Sequence, residues 1–447
     1  MPDTVTAPQP HDAAQNSLDL SHHWMPFTAN RAFKAAPRII TEAHGIWYRN
    51  DRGDQLIDGL SGLFCTPAGH GRREITEAVT AQLGRLDYAP PFQFGTPGGF
   101  AVASALARIL PDGIDRVFFA GSGSEAVETA LKIAMLYHRR RGEGQRQRVI
   151  GREKAYHGVN LAGWSVGGMV RNREMFGLGM AGVAHMRHTH IPENRFVLGE
   201  GEHGADLADD LERAVGLYGA DTIAACIVEP ISGSIGVLVP PQGYLARLRE
   251  ICDRHGILLI FDEVITGFGR TGKAFAAQSF GVTPDIITMA KAITNGTVPM
   301  AAVAASRMVY DTIVDDNPSG IEFFHGYTWS AHPVACAAAL ASLKIFQDEA
   351  LFDRAAALSP HFLERLGRLR AHGIVEDIRG YGMLGAADLA AGATMGARGF
   401  QALTALYDAG AIVRVTNDTL IFAPPFVMEP ADLDHLFDTV EKVLAGF

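Results

Sequence analysis

From about residue 116 onward, short apolar runs alternate with stretches of helical periodicity. Val117-Phe118-Phe119, Val149-Ile150, Ile223 to Val228, Ile257 to Phe261 and Ile286 to Met289 read as buried strands. Amphipathic helices fall between them, one opening at Glu125 and one covering Tyr244 to His255. That alternation predicts a mostly parallel sheet with helices on both faces, in which ligands sit at the carboxyl ends of the strands. Upstream, Gly45-Ile46-Trp47-Tyr48-Arg49 and Gln55-Leu56-Ile57-Asp58 flank the turn Asp51-Arg52-Gly53 and predict an antiparallel hairpin. Helical spacing follows at Glu74 to Val79 and around Phe100 to Leu110. Beyond Thr328 the pattern predicts helices over Pro333 to Gln347 and Asp353 to His372, strands near Val375 to Ile378, Ala411 to Val415 and Leu420 to Phe422, and a last helix from Pro430. The expected architecture is α/β. A large domain over 76–330 holds a mostly parallel sheet sandwiched by helices, and a smaller α+β domain covers 331–447. An N-terminal segment, 1–75, joins the small domain.

Composition narrows the function classes. The chain has 447 residues, 47% hydrophobic, enough for a large core and more than one domain. A net charge of −10 argues against a nucleic-acid binder, which needs a basic face to neutralise phosphates. The basic run from Arg139-Arg140-Arg141 to Arg148 follows a helix and reads as a solvated last turn suited to the helix dipole. Cys65, Cys226, Cys252 and Cys336 are far apart and form no metal-type pair, so they read as reduced thiols of a cytoplasmic protein. Up to about Ser17 the chain is polar and Pro/Ala-rich, with no basic start followed by an apolar stretch, and no run elsewhere is long enough to span a membrane. A soluble protein is expected.

Chemistry concentrates at the strand ends. Lys291 closes the apolar run Asp285-Ile286-Ile287-Thr288-Met289-Ala290, and Asp262 closes the run Ile257 to Phe261. An amine and a carboxylate presented together at strand ends meet the needs of pyridoxal phosphate: the amine forms a Schiff base and the acid keeps the pyridine nitrogen protonated. Apolar neighbours should depress the lysine's pKa. Each residue also has a plainer reading, Lys291 as a lysine closing a strand and Asp262 as a helix cap. Gly121-Ser122-Gly123-Ser124-Glu125 follows a strand and opens a helix, so small residues and unpaired N–H groups can hold a phosphate, or Ser122 merely caps the helix. Tyr156-His157-Gly158 places an aromatic ring where it can stack on a flat cofactor or cover the sheet edge. Glu229, before Pro230, is positioned to hydrogen-bond cofactor or substrate, or to cap a turn.

Together these motifs resemble the class III aminotransferases, pyridoxal-phosphate enzymes of fold type I. Within them the nearest likeness is to the ω-amino acid:pyruvate and β-alanine:pyruvate aminotransferases and the amine transaminases. The likeness runs from Trp24-Met25-Pro26-Phe27-Thr28 to the final helix. It is most specific over Leu259 to Gly272, at His325-Gly326-Tyr327-Thr328 and at Ser330-Ala331-His332-Pro333. It implies that Ser122, Gly123 and Ser124 hold the phosphate. Tyr156 and Val264 would pack on opposite ring faces, with His157 and Glu229 beside the cofactor and Asp262 at the ring nitrogen. Thr328 would reach the cofactor phosphate of a neighbouring subunit, which implies a homodimer with active sites at the interface; dimer and tetramer both stay open. Arg414, in Ile412-Val413-Arg414-Val415, would bind a substrate carboxylate, although without the likeness it reads as a surface ion pair. Trp24, Phe64 and Phe92 would line the substrate pocket. Phe64 stands where relatives commonly carry tryptophan, which puts the amine preference in question, and the small-domain stretch Val415 to Thr419 also varies among them.

The implied activity is a ping-pong transfer of an amino group from an ω-amino acid such as β-alanine, or a primary amine, to pyruvate, giving alanine. A decarboxylase, racemase or aminomutase on the same fold is the rival within this chemistry. A nucleotide-binding scaffold is the rival outside it, disfavoured because Gly121 to Ser124 lacks a phosphate-loop lysine.

Overall fold

The computed structural model describes residues 18–315 and 320–447; the polar segment up to Ser17 lies outside the described residues. The strands in chain order are β1 Ile40–His44, β2 Trp47–Asn50, β3 Gln55–Asp58, β4 Ile114–Ala120, β5 Arg148–Arg152, β6 Val183–Met186, β7 Ile223–Val228, β8 Leu258–Asp262, β9 Ile286–Met289, β10 Ala301–Ser306, β11 Val375–Tyr381, β12 Leu384–Leu389, β13 Ala411–Ile412, β14 Arg414–Thr416 and β15 Thr419–Phe422. They form three sheets.

The largest sheet has seven strands in the order β4-β10-β9-β8-β7-β5-β6. All neighbours are parallel except β10, which runs antiparallel to both β4 and β9. Every residue of β7 and β8 is buried, as expected of a parallel sheet covered on both faces. Successive side chains alternate between two cores. Ala225 and Ile227 join a cluster with Val127 and Leu131, while Cys226 and Val228 join one with Leu248 and Phe261. On the first face lies the helix Gly123–Arg140, which buries Ala126, Val127, Ala130, Leu131, Ala134 and Tyr137 at three- and four-residue spacing. On the other, the helix Tyr244–His255 buries Leu245, Leu248, Ile251 and Cys252.

The two smaller sheets are β1-β2-β3-β13 and β11-β12-β15-β14. In the first, the expected hairpin pairs β2 with β3, and β3 also pairs in parallel with β13 from near the other end of the chain. The second is antiparallel and packs under the helices Leu351–Arg368 and Pro430–Leu444 through Phe362, Phe422 and Phe437. Among the described residues, no helix is long and apolar enough to cross a membrane.

Two expectations need correction, and one strand had not been expected. The run Ala411 to Val415 is not one strand: it breaks at Val413, so that Ala411–Ile412 and Arg414–Thr416 belong to different sheets. The sequence Ala301-Ala302-Val303-Ala304-Ala305 forms β10, a strand that its alanines hide, because alanine has little β preference of its own. The basic run is not wholly solvated either. Arg146 is turned inward and donates to the carbonyls of Ala220 and Ile223 at 2.8 and 3.0 Å and of His255 at 3.2 Å.

Phe437 is fully buried between Phe362 and Phe422, with ring centroids 5.8 and 5.3 Å away. Phe437→Ala should therefore cost about 3–5 kcal/mol, read as a clear fall in apparent melting temperature. Leu217→Ala, at a side chain 73% exposed, should leave it nearly unchanged.

Candidate active site

Asp262 is the last residue of β8 and is buried. A carboxylate in that position requires partners, and three segments supply them. Thr288, its register partner on β9, donates its hydroxyl to Oδ1 at 3.0 Å. The N–H of Val264 donates to the same oxygen at 3.2 Å. Nδ1 of His157 lies 2.7 Å from Oδ2, while Nε2 of that buried ring has no partner.

Lys291 lies two residues beyond β9 and opens a single 3-10 turn, Lys291–Thr294, with φ at +51°. The strand does not deliver Lys291 as its own last side chain; a left-handed residue after the strand does. That conformation strains any residue with a Cβ, by about 1–2 kcal/mol. Burial pulls the lysine's pKa below its ordinary value; the carboxylates of Asp262 and Glu229 oppose this and Arg414 adds to it. The outcome favours the neutral, nucleophilic amine.

At the opposite end of the same sheet edge, the hydroxyl of Ser122 caps the helix Gly123–Arg140 by accepting from the N–H of Glu125 at 3.2 Å. The carboxylate of Glu125 folds back to accept from the N–H of Gly121 at 2.6 Å. The serine is thus a cap, and the first-turn N–H groups of Gly123 and Ser124 still have no helical acceptor. Gly123 permits a close approach here, since a Cβ on it would lie 3.1 Å from Val264. The segment 156–158 folds over this end. Gly158 has φ +97°, and a Cβ there would meet Ser124 Oγ at 2.4 Å. Next to it, the hydroxyl of Ser124 accepts from the N–H of Val159 at 3.0 Å. Glu229 fixes the other side of the segment: its buried carboxylate accepts from the N–H of Tyr156 at 2.9 Å and of Gly233 at 3.2 Å. Burial pushes its pKa up.

These side chains surround one cavity of about 340 Å³. Ser122, Gly123, Ser124, Tyr156, His157, Glu229, Asp262, Val264 and Lys291 all line it. The set fits a flat, phosphate-bearing cofactor: helix-start donors, a buried carboxylate, a buried amine of lowered pKa, and glycines where the backbone must come close. Arg414, on β14, stands next to the cavity; its charge acts on Tyr156 and Lys291, its Nε is buried without a partner, and burial lowers its pKa. The other expected residues lie elsewhere. Thr328 is exposed, and its carbonyl accepts from the Tyr88 hydroxyl at 3.2 Å. Trp24 and Phe92 are 88% and 55% exposed. Phe64 is buried with φ +65° among Leu60, Ile231 and Ile265, and its neighbour Cys65 lines the cavity instead. Sequence reasoning also missed the wall formed by Thr294, Gly296, Val298, Pro299 and Met300. Its only signal was the Asn295-Gly296 turn after Lys291.

The family model for aminotransferase class-III matches residues 28–444. The omega-aminotransferase of Caulobacter vibrioides is 51% identical over 429 residues, covering 95% of this chain and 98% of that protein. The beta-alanine–pyruvate aminotransferase of Pseudomonas aeruginosa is 50% identical, covering 96% of this chain and 97% of the other. Among solved structures, a thermostable (S)-enantioselective omega-transaminase from Thermomicrobium roseum superposes with a TM-score of 0.89 at 36% identity, covering 96% of this chain and 97% of its own.

Two outcomes follow from the geometry. Gly158→Ala drives a methyl group into Ser124 at a backbone angle that favours glycine, and should cost about 1–3 kcal/mol, read as a lower apparent melting temperature. Glu263, beside Asp262, is fully buried; it accepts from the N–H groups of Ala276 and Ala277 at 2.6 and 2.9 Å and from the Thr266 hydroxyl at 2.9 Å. Burial pushes its pKa from 4.5 up to about 7. Over that window the folded chain binds more protons at Glu263 than the unfolded chain does, so this group's contribution to stability falls as pH rises from about 4.5 to about 7 and then levels off. Glu263→Gln loses one acceptor and should melt lower at every pH, but with a flatter change in melting temperature between about pH 5 and about pH 8.

Proposed function

The chain belongs to the class III aminotransferases, and we propose on that premise that it moves an amino group from an ω-amino acid such as β-alanine, or from a primary amine, to pyruvate, releasing alanine. The observation that carries this reading is the meeting, in one cavity, of a buried amine, a buried carboxylate and a helix start. A relative named for β-alanine and pyruvate, 50% identical over 96% of the chain, and one named for an ω-amino acid and pyruvate, 49% identical over 96% of the chain, support the substrate pair.

Members of the family use pyridoxal phosphate, which when bound supplies a carbonyl to carry the amino group and a ring to accept electrons. The N–H groups of Gly123 and Ser124, with the hydroxyls of Ser122 and Ser124, would hold its phosphate. Asp262, braced by Thr288 and His157, would keep a positive charge on the ring nitrogen. Tyr156 and Val264 would enclose the ring from its two faces. Lys291 Nζ would hold the cofactor in the resting enzyme, then take the proton from the donor carbon and return it on the far side of the transfer. Arg414 would receive the carboxylate of pyruvate through its planar fork. Trp24, Phe64 and Phe92 would shape the approach for the amine.

A second copy of the chain would complete the site. Trp329 and His332 are exposed or half-buried beside Thr328, and they line a further space of about 490 Å³ that shares Gly121 and Ser122 with the cavity. A homodimer buries that apolar face and brings Thr328 of one subunit toward the phosphate end of the other. The four free cysteines support a reducing, cytoplasmic setting.

The purified protein should form alanine from pyruvate with β-alanine or a primary amine as donor, and sediment as a dimer or larger. Lys291→Ala should abolish the cofactor's near-visible absorbance band and lower turnover by about 10³-fold or more. Wild-type rates in that variant would overturn the assignment of Lys291.

A further inference from the structure

Among the described residues, no carboxylate pairs with Arg414 and its Nε has no partner, so its aim depends on the backbone that carries it. That backbone is a short hairpin, β14 to β15, turning at Asn417 with φ +51°. Three clasps fix the hairpin. The hydroxyl of Thr416 donates to the carbonyl of Ser234 at 2.9 Å. The carboxylate of Asp418 accepts from the N–H groups of Gly396 and Gly399 at 2.8 and 2.9 Å, at the start of the helix Ala397–Asp408. The hydroxyl of Thr419 donates to Asp388 at 2.6 Å.

Asp388 is itself gripped by both ends of the Arg379 guanidinium, at 2.7 and 2.8 Å. Arg379 is buried and donates through Nε to the carbonyl of Gly236 at 2.7 Å. Its remaining contact is Asp377 at 2.8 Å, which His190 also reaches at 3.0 Å. Arg379 therefore supplies the charge for the two acids of the His190, Asp377 and Asp388 group, whose ligand atoms lie within 4.8 Å of one another. Gly236 is fitted to this contact: a Cβ there would lie 2.8 Å from Arg379 and 3.1 Å from Thr419.

Ser234 and Gly236 sit on one strap, closed by the paired backbones of Ser232 and Leu238. The strap starts at Glu229, whose carboxylate holds Tyr156 and Gly233. The hairpin bearing Arg414 is thus fastened to the same piece of chain that orients the cavity wall. We infer that Thr416, Asp388 and Arg379 are positioning residues that set the aim of Arg414, and so set the enzyme's preference for carboxylate-bearing substrates over carboxylate-free ones. The inference rests on the proposed role of Arg414.

Removing Arg379 would strand two buried acids, a change too disruptive to interpret. Thr416→Val removes one neutral hydrogen bond at nearly constant shape. One such bond corresponds to about fivefold, or about 1 kcal/mol. The test measures KM for pyruvate, for an aliphatic aldehyde acceptor and for a carboxylate-free primary amine. Thr416→Val should raise KM for pyruvate about fivefold and leave the other two within about twofold. Thr416→Ser should restore the wild-type value, and Asp388→Asn should move KM for pyruvate the same way. Equal shifts for pyruvate and aldehyde, or no shift for either, would overturn the inference. If the wild-type enzyme made no alanine from pyruvate, the proposed reaction would fall instead, and the comparison of acid with aldehyde would be read with another 2-oxo acid.

Discussion

A buried carboxylate must be answered with hydrogen bonds, and Asp262 imposes that demand on three parts of the chain. Its partners come from β9 through Thr288, from the residue two positions on through Val264, and from a distant loop through His157. Each bond constrains something larger. Thr288 fixes the register of β8 against β9, and hence where the chain leaves the sheet toward Lys291. His157 draws the segment 156–158 across the sheet edge. Gly158 can then lie against Ser124, at the start of the helix Gly123–Arg140, only because it lacks a side chain. The start of the helix Gly123–Arg140 and the Asp262 end of the cavity are therefore coupled through one cluster of hydrogen bonds rather than placed independently.

The charges around the cavity are balanced but not neutralised in pairs. Asp262 and Glu229 face Lys291 and Arg414 across a low-dielectric space, and the polar contacts of both acids are hydrogen bonds from His157, Thr288 and the backbone, not bonds to the two cations. Burial lowers both cations and raises Glu229. A lysine locked in an ion pair would be a poor nucleophile, and an arginine so locked would have no affinity left for a substrate carboxylate. The arrangement costs stability, visible in the strained backbone at Lys291, and keeps both groups free to act.

Much of this was legible in the sequence because the central strands are rich in isoleucine, leucine and other apolar residues, whose runs end abruptly at Asp262 and just before Lys291. The elements that were not legible lack that contrast. The strand β10 is mostly alanine, and β6, Val183–Met186, contains a histidine and is only partly buried. The acid and the lysine could be found because a charge at the end of an apolar run is anomalous. Thr288 was the weaker form of the same signal, one hydroxyl inside a buried strand. Cys65 carried no such signal: it comes to the cavity wall through a loop whose path is set by tertiary hydrogen bonds. Phe64, Trp24 and Phe92 were chosen by likeness to relatives, and within one chain they face the core or the solvent.

The small sheet β1-β2-β3-β13 explains how the two ends of the chain come to serve one site. β3 and β13 are parallel neighbours, so their carboxyl ends point the same way. At the end of β3, the carboxylate of Asp58 accepts from the N–H groups of Leu60 and Gly62 at 2.9 and 2.7 Å and meets the ring of His70 at 2.7 Å, which curls the chain so that Cys65 meets the cavity. Beyond β13, a single residue, Val413, breaks the strand and passes the chain to β14, where Arg414 stands. The close contact at Gly59, where a Cβ would lie 3.0 Å from the carbonyl of Ile412, holds the two exits side by side. Had Ala411 to Val415 stayed one strand, Arg414 would belong to the N-terminal sheet and move with it. The break transfers it to a hairpin fastened to the strap 229–238 instead. Arg414 is therefore fastened to chain that follows β7 in the seven-stranded sheet, although it is carried by a sheet from the far end of the sequence.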